Sequence, residues 1–143
     1  MRRDLRPEQL GDLLDRPIVA VLGTFRRDGE LLLSPVWHEW RDGGFTVASS
    51  WDDVKVRHLR RDPRASILVF ESELPYRGVE VRAVARLSRE GTHEVSLRIA
   101  IRYLGQERGT AYAVDDSDDV LIRVEPGQLR AWDFADEYPT TEP

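Results

Sequence analysis

The sequence has 143 residues, 26 acidic against 21 basic side chains for a net charge of −5, and no cysteine. This length suits one domain with a buried core, and the lack of cysteine excludes disulfides and thiolate metal ligands. Nothing in this charge balance indicates general nucleic-acid binding, and no apolar stretch is long enough to span a membrane. Acidic residues at 4, 8 and 12 come too early for a signal peptide. We therefore predict one cytoplasmic domain over residues 1–143.

The first third of the chain predicts a short helix and three strands. Residues 7–15 are expected to be helical, with a proline in the first turn. The apolar, β-branched run over 18–25 predicts a buried strand, and an Arg-Asp-Gly turn leads into a second strand over 31–40. Pro35 indicates a sheet edge or bulge. A third strand is predicted over 45–50.

A short charged helix is predicted next, over 52–62, with Asp52 or Asp53 as its cap. It contains Lys55, the only lysine beside twenty arginines. Lysine is a compact point charge often used against phosphate, and exposed N–H groups at a helix start favour an anion. Lys55 is therefore a candidate phosphate ligand, with a solvated surface charge as the alternative.

For the rest of the chain we predict four more strands, one of them long, and one more helix. Short apolar runs predict strands over 65–71, 120–124 and 128–132. Alternating apolar and charged residues over 79–87 predict a long strand with one buried face. Residues 92–104 predict a helix that ends at a glycine.

The acidic run 115–119 lacks the glycine and terminal glutamate of an EF-hand loop, so we interpret it as a solvated loop. The three histidines do not share a metal-ligand spacing, and no metal site is predicted. Residues from about 135 to 143 are expected to form a polar tail. Six or seven mostly antiparallel strands with an inserted helix predict a mainly β fold, a small barrel with peripheral helices.

Three segments together resemble the flavin-binding split-barrel superfamily, which includes pyridoxamine 5′-phosphate oxidases and deazaflavin (F420)-dependent reductases. They are residues 34–40, residues 46–50 and residues 55–69, where a lysine-led helix ends in Asp-Pro-Arg before an apolar strand. The resemblance extends over nearly the whole chain. It implies a split β-barrel of the FMN-binding type, assembled as a homodimer with the cofactor at the interface.

The resemblance also implies roles for particular residues. In these relatives the cofactor lies across the second and third strands, and its phosphate meets the helix start and the helix lysine. By position, this implies that Lys55 binds the phosphate, that Ser49 and Ser50 lie along the ribityl chain and phosphate, and that Trp37 and His38 lie beside the ring system. No catalytic side chain is nominated, because in such enzymes the cofactor carries the chemistry. Without the resemblance, His38 would be interpreted as a packed or sheet-edge histidine.

The function implied is hydride transfer between F420 and a small conjugated organic substrate. A patch of four arginines, at residues 57, 60, 61 and 64, suits the polyglutamate tail of F420 better than it suits FMN, although the same patch would also serve to balance nearby acids or keep the helix solvated. The residues at 132–136 lack the Arg and His arrangement that binds pyridoxamine phosphate, which argues against vitamin B6 chemistry. Two alternatives stay open: an FMN-dependent oxidase or reductase, and a non-catalytic dimeric module that binds a flavin or haem or has lost its cofactor. The last is kept because Asp53 and Val54 stand where many relatives have a second basic residue.

Overall fold

The computed structural model describes residues 1–114 and 118–138. Within them the chain forms nine strands: β1 (Ala20–Phe25), β2 (Leu31–Val36), β3 (Glu39–Arg41), β4 (Gly44–Ser50), β5 (Arg64–Phe70), β6 (Gly78–Val84), β7 (Arg86–Ser88), β8 (Asp119–Val124) and β9 (Gln128–Trp132). The α-helices are α1 (Val54–Arg61), α2 (Thr92–Leu104) and α3 (Gln106–Tyr112). The predicted mainly β fold with peripheral helices is confirmed.

The strands form two antiparallel sheets. One sheet has the order β2-β1-β5-β6-β9 and the other has the order β3-β4-β8-β7. Their inner faces enclose one hydrophobic core, because alternate residues of each strand point inward. The largest fully buried side chains come from both sheets and include Leu22, Phe45, Ile67, Val81 and Ile122. This arrangement is the split barrel that the family resemblance implies.

Two predicted strands are each divided between the sheets, which raises the predicted six or seven strands to nine. Residues 31–40 form β2 in the first sheet and β3 in the second, and residues 79–87 form β6 and β7 in the same way. An alternating pattern detects extended chain but cannot show where it passes from one sheet to the other. Pro35 lies in β2, at the edge of its sheet, where its missing N–H is tolerated.

The helix predicted over 7–15 is wrong. Two 3-10 turns replace it, Pro7–Leu10 and Leu13–Asp15, on either side of Gly11, which has a φ of +62°. A residue with positive φ ends the right-handed turn, and glycine adopts such a conformation without steric cost. Leu10 and Leu13 of these turns are part of the hydrophobic core.

The helix predicted over 92–104 is confirmed as α2, whereas α3 was not predicted. No helix among the described residues is long and apolar enough to cross a membrane. Residues 115–117 of the acidic run lie outside the described residues, and Asp119 opens β8. Of the predicted polar tail, Ala135–Glu137 form a 3-10 turn, and residues 139–143 lie outside the described residues.

Candidate functional site

A cavity of about 460 Å³ lies where β4 passes into α1, beneath α2 and α3. Its lining comes from both sheets and all three helices. The lining residues are Pro35, Val36, Trp37, Ala48, Ser49, Ser50, Asp53, Lys55, Ser96, Ile99, Ala100, Tyr112, Ala113 and Asp119. Four of the five residues predicted to bind a cofactor are in this set, namely Trp37, Ser49, Ser50 and Lys55.

The short connection between β4 and α1 brings three of these residues together. The backbone N–H of Asp53 donates to the carbonyl of Ser50 at 3.0 Å, which closes a tight turn. The helix therefore begins at Val54, only four residues after the strand ends. Ser49, Ser50 and Lys55 thus surround the start of a helix, where unpaired N–H groups favour an anion.

The carboxylate of Asp53 lies inside the site and contacts two of the predicted ligands. Its Oδ2 accepts hydrogen bonds from Lys55 Nζ at 2.7 Å and from Ser49 Oγ at 3.0 Å. Burial raises the pKa of Asp53, but the bonds from Lys55 and Ser49 outweigh it and leave the pKa below its usual value. Asp53 occupies the N-cap position without a side-chain capping bond, so the predicted cap is confirmed in place but not in its side-chain role.

The far wall of the cavity was missed by sequence reasoning. It is formed by α2 and α3, and Ser96 of α2 donates a hydrogen bond to Asp119 Oδ2 at 2.7 Å. Asp119 pairs with Ser50 in the register of β4 and β8. This carboxylate therefore lies at the same end of the cavity as Ser50. The available signal for α3 was the run of helix-forming residues after Gly105, which is the C-cap of α2 and the N-cap of α3.

Trp37 forms the aromatic part of the lining. Its ring stacks on Tyr103 of α2, with centroids 5.0 Å apart and planes 6° apart. Tyr112 of α3 contacts the same ring at 5.4 Å in a tilted arrangement. The two tyrosines therefore fix the orientation of a half-buried tryptophan beside the cavity, which is the type of surface on which flat ligands pack.

His38 lies in the core and does not line the cavity. Its side chain is fully buried, with its ring edge-on to Phe45. Tyr103 Oη donates to the carbonyl of Ile18 at 2.7 Å and lies 3.0 Å from His38 Nδ1. Because a hydroxyl has only one proton to donate, Nδ1 must be the protonated nitrogen. Within the described residues, the unprotonated Nε2 has no hydrogen-bond partner.

The environment of His38 disfavours its charged form. Burial, together with the Arg102 guanidinium, lowers the pKa of His38 to about 4 from an ordinary 6.5. Protonation would add a second buried N–H group that has no hydrogen-bond acceptor among the described residues, which explains why the pKa of His38 is lowered. At neutral pH His38 is therefore an uncharged packing residue that holds the Tyr103 hydroxyl.

We predict that His38 makes stability depend on pH. A base whose folded pKa lies below its unfolded value stabilises the fold above pH 6.5, and this contribution is lost as the pH falls towards 4. The loss from His38 is about 3 kcal/mol over this window. Chemical unfolding at pH 7, 5.5 and 4.5 should therefore show a steeper decline for the wild type than for His38→Asn, which does not titrate. Parallel slopes would contradict the assignment.

The structure thus brings Trp37, Ser49, Ser50 and Lys55 to one cavity and places His38 behind it. That these five residues bind a cofactor stays a prediction. One ammonium, two hydroxyls and a helix start are a donor set that fits a phosphate, and the Trp37 wall fits a flat ring. Among residues 1–114 and 118–138, no group of three or more His, Asp or Glu side chains is arranged to hold a metal ion.

Similar folds occur in solved structures. The conserved hypothetical protein Rv2991 from Mycobacterium tuberculosis has a TM-score of 0.82 at 24% identity, over 96% of this chain and 91% of that chain. An F420 reductase has a TM-score of 0.73 at 28% identity, over 87% and 98%. HutZ, the haem storage protein from Vibrio cholerae, has a TM-score of 0.68 at 20% identity, over 86% and 92%.

A comparison with curated proteins finds no match to this sequence. The family model described as pyridoxamine 5′-phosphate oxidase matches residues 7–133, which include every strand and helix that contributes to the cavity. The matched range also contains all nine strands that the described residues form in the two sheets. The chain belongs to the pyridoxamine 5′-phosphate oxidase family, within the flavin-binding split-barrel superfamily.

Proposed function

We propose that this chain is an F420-dependent oxidoreductase that acts as a homodimer and transfers hydride between the deazaflavin and a small conjugated organic substrate. The observation that carries the proposal is the cavity itself, where Lys55, Ser49 and Ser50 surround a helix start and Trp37 forms an adjoining wall. Support also comes from the family match and from the F420 reductase at 28% identity.

Each part of the cavity has a distinct role in this proposal. Lys55 and the serines bind the phosphate, and Trp37 orients the flat ring. The apolar side chains of Val36, Ile99 and Ala100 exclude water from the ring. The deazaflavin, when bound, supplies the hydride chemistry, so the protein needs no catalytic nucleophile.

The haem alternative finds little support in the histidines. His38 is fully buried and lies against Tyr103, and His58 is buried with its Nδ1 3.0 Å from Thr24 Oγ1. Neither side chain lines the cavity. A flavin-type ligand, which needs a flat pocket and a phosphate site, matches the lining better than a metalloporphyrin, whose commonest axial ligand is a histidine.

The homodimer in this proposal is supported by an apolar face of the five-stranded sheet. Leu31 and Leu33 of the edge strand β2 are 51% and 61% exposed, and Phe70 of β5 is 44% exposed. The strand registers place all three side chains on the outer face of this sheet. Such a face is normally covered in a soluble oligomer, and a second copy of the chain would cover it symmetrically.

The Lys55→Ala variant tests the proposed phosphate site. We expect it to weaken F420 binding by about 1.5–3 kcal/mol, the range for hydrogen bonds to charged groups. Titration of the cofactor-free protein with F420, followed by tryptophan fluorescence, measures the affinity, and thermal unfolding checks the fold. Little change in stability is expected, because the Lys55–Asp53 ion pair is local and partly exposed.

Arg27→Ala is the matched control, since it removes an exposed cation from the turn between β1 and β2, outside both the cavity lining and the arginine patch of residues 57–64. Its F420 affinity should equal that of the wild type. FMN, titrated in parallel, distinguishes the deazaflavin proposal from the FMN alternative. Unchanged F420 affinity in Lys55→Ala would overturn the phosphate site, and binding of neither cofactor to the wild type would favour the non-catalytic module.

A further inference from the structure

A carboxylate already occupies the donors that a cofactor phosphate would use. Asp53 Oδ2 accepts from both Lys55 Nζ and Ser49 Oγ, at 2.7 Å and 3.0 Å. An incoming phosphate oxygen must therefore either displace the carboxylate or share these donors with it. In either case the phosphate binds close to a negative charge, because Asp53 is the residue directly before α1.

The charge balance of the cavity strengthens this effect. Of the described residues that line it, Lys55 is the cation, and Asp53 and Asp119 are the anions. Asp119 pairs with Ser50 across β4 and β8, so both carboxylates belong to the end of the cavity near the start of α1. The hydrogen bonds from Lys55 and Ser49 keep Asp53 ionised at neutral pH. The lining thus has one more negative than positive charge.

A net negative charge in the lining affects the binding of two classes of phosphate differently. A phosphomonoester, such as the end group of FMN, carries a charge of about −1.5 to −2 at pH 7. A phosphodiester, such as the phosphate of F420, carries a single negative charge. Repulsion from a fixed carboxylate grows in proportion to the ligand charge, so the monoester is penalised more strongly.

We propose that Asp53 is a specificity-determining residue that makes the site favour a phosphodiester over a phosphomonoester. This inference rests on the proposed function, because it assumes that the cavity binds a flavin-type cofactor. It assigns a role to a residue that would otherwise only weaken the site. It also explains how a chain with an acid beside its phosphate-binding lysine retains a usable cofactor site.

The experiment compares FMN with its methyl ester at the phosphate, which carries one negative charge fewer and one additional methyl group. Both are titrated by fluorescence into the wild type and into Asp53→Asn. Asparagine is as good an N-cap as aspartate, so the variant should keep α1 intact, and Asp53→Ser provides a second N-cap residue without charge. Riboflavin, which has no phosphate, reports on the ring site alone.

We expect the wild type to bind the methyl ester more tightly than FMN. In Asp53→Asn, the gain in FMN affinity should exceed the gain for the methyl ester by about tenfold, since the second phosphate charge is no longer repelled by a partly exposed carboxylate. Asp53→Ser should behave in the same way, and riboflavin affinity should not change. Asp52→Asn, which removes an exposed charge outside the lining, should alter neither ratio.

Equal gains for the two ligands, or none, would overturn the role of Asp53 while F420 binding to the wild type would still support the proposed function. Failure of F420, FMN and the methyl ester to bind either protein would overturn both. An equal change in Asp52→Asn would also overturn the inference, because it would reduce the effect to general surface charge.

Discussion

Glu71→Ala is expected to lower the free energy of unfolding by about 3–5 kcal/mol, as for other buried ion pairs that lose one partner. The Glu71 side chain is only 2% exposed. Its Oε2 accepts from Arg77 NH2 at 2.7 Å and from Arg16 NH1 at 2.9 Å, and its Oε1 accepts from Arg77 Nε and the Arg77 backbone N–H. Alanine would leave both guanidinium groups without the carboxylate that satisfies them.

The effect should extend to the N-terminal turns. Arg77 NH1 also donates to the carbonyl of Leu10 at 2.7 Å and contacts Asp12 at 2.8 Å, so Glu71 fixes the side chain that ties the chain start to the sheet. Denaturant unfolding at pH 7 measures the loss. Glu73→Ala removes an exposed carboxylate from the same loop and should stay within about 0.5 kcal/mol of the wild type. Equal losses in the two variants would contradict the proposed role of burial.

The sequence was sufficient for features that depend on neighbouring residues. Ser49, Ser50 and Lys55 lie within seven positions of one another, so a strand that leads directly into a helix brings them together whatever the rest of the chain does. The pattern of apolar residues likewise identified the strand cores, because alternation reports burial on one face. The start of α1 followed from its acidic N-cap, and its end followed from the Asp-Pro pair at 62–63.

The sequence was not sufficient where the answer depends on distant contacts. Trp37 and His38 were treated alike, but the chain passes between the sheets at this point, so one side chain faces the cavity and the other the core. Tyr112 joins the site only because α3 folds back on α2, and no local pattern predicts that contact.

Gly109→Ala should open the helical wall of the cavity. An added Cβ would lie 2.6 Å from the Cα and N of Ile101 and 2.7 Å from the carbonyl carbon of Ala100. These are backbone atoms of α2, so they cannot move aside as a flexible side chain would. Helix propensity alone predicts a gain of about 1 kcal/mol for alanine over glycine in α3. Overpacking predicts a loss of about 1–3 kcal/mol, so the two effects have opposite signs.

We expect overpacking to win, because α3 can relieve the clash only by moving away from α2. Tyr112 and Ala113 would move with it, and both line the cavity. The variant should therefore lose stability in denaturant unfolding and, under the proposed function, bind F420 about tenfold more weakly. Arg108→Ala, an exposed change on the same helix, should leave both quantities unchanged. A gain in stability from Gly109→Ala would show that the close packing of α3 on α2 does not hold the cavity wall, and that α3 is free to adjust around the ligand.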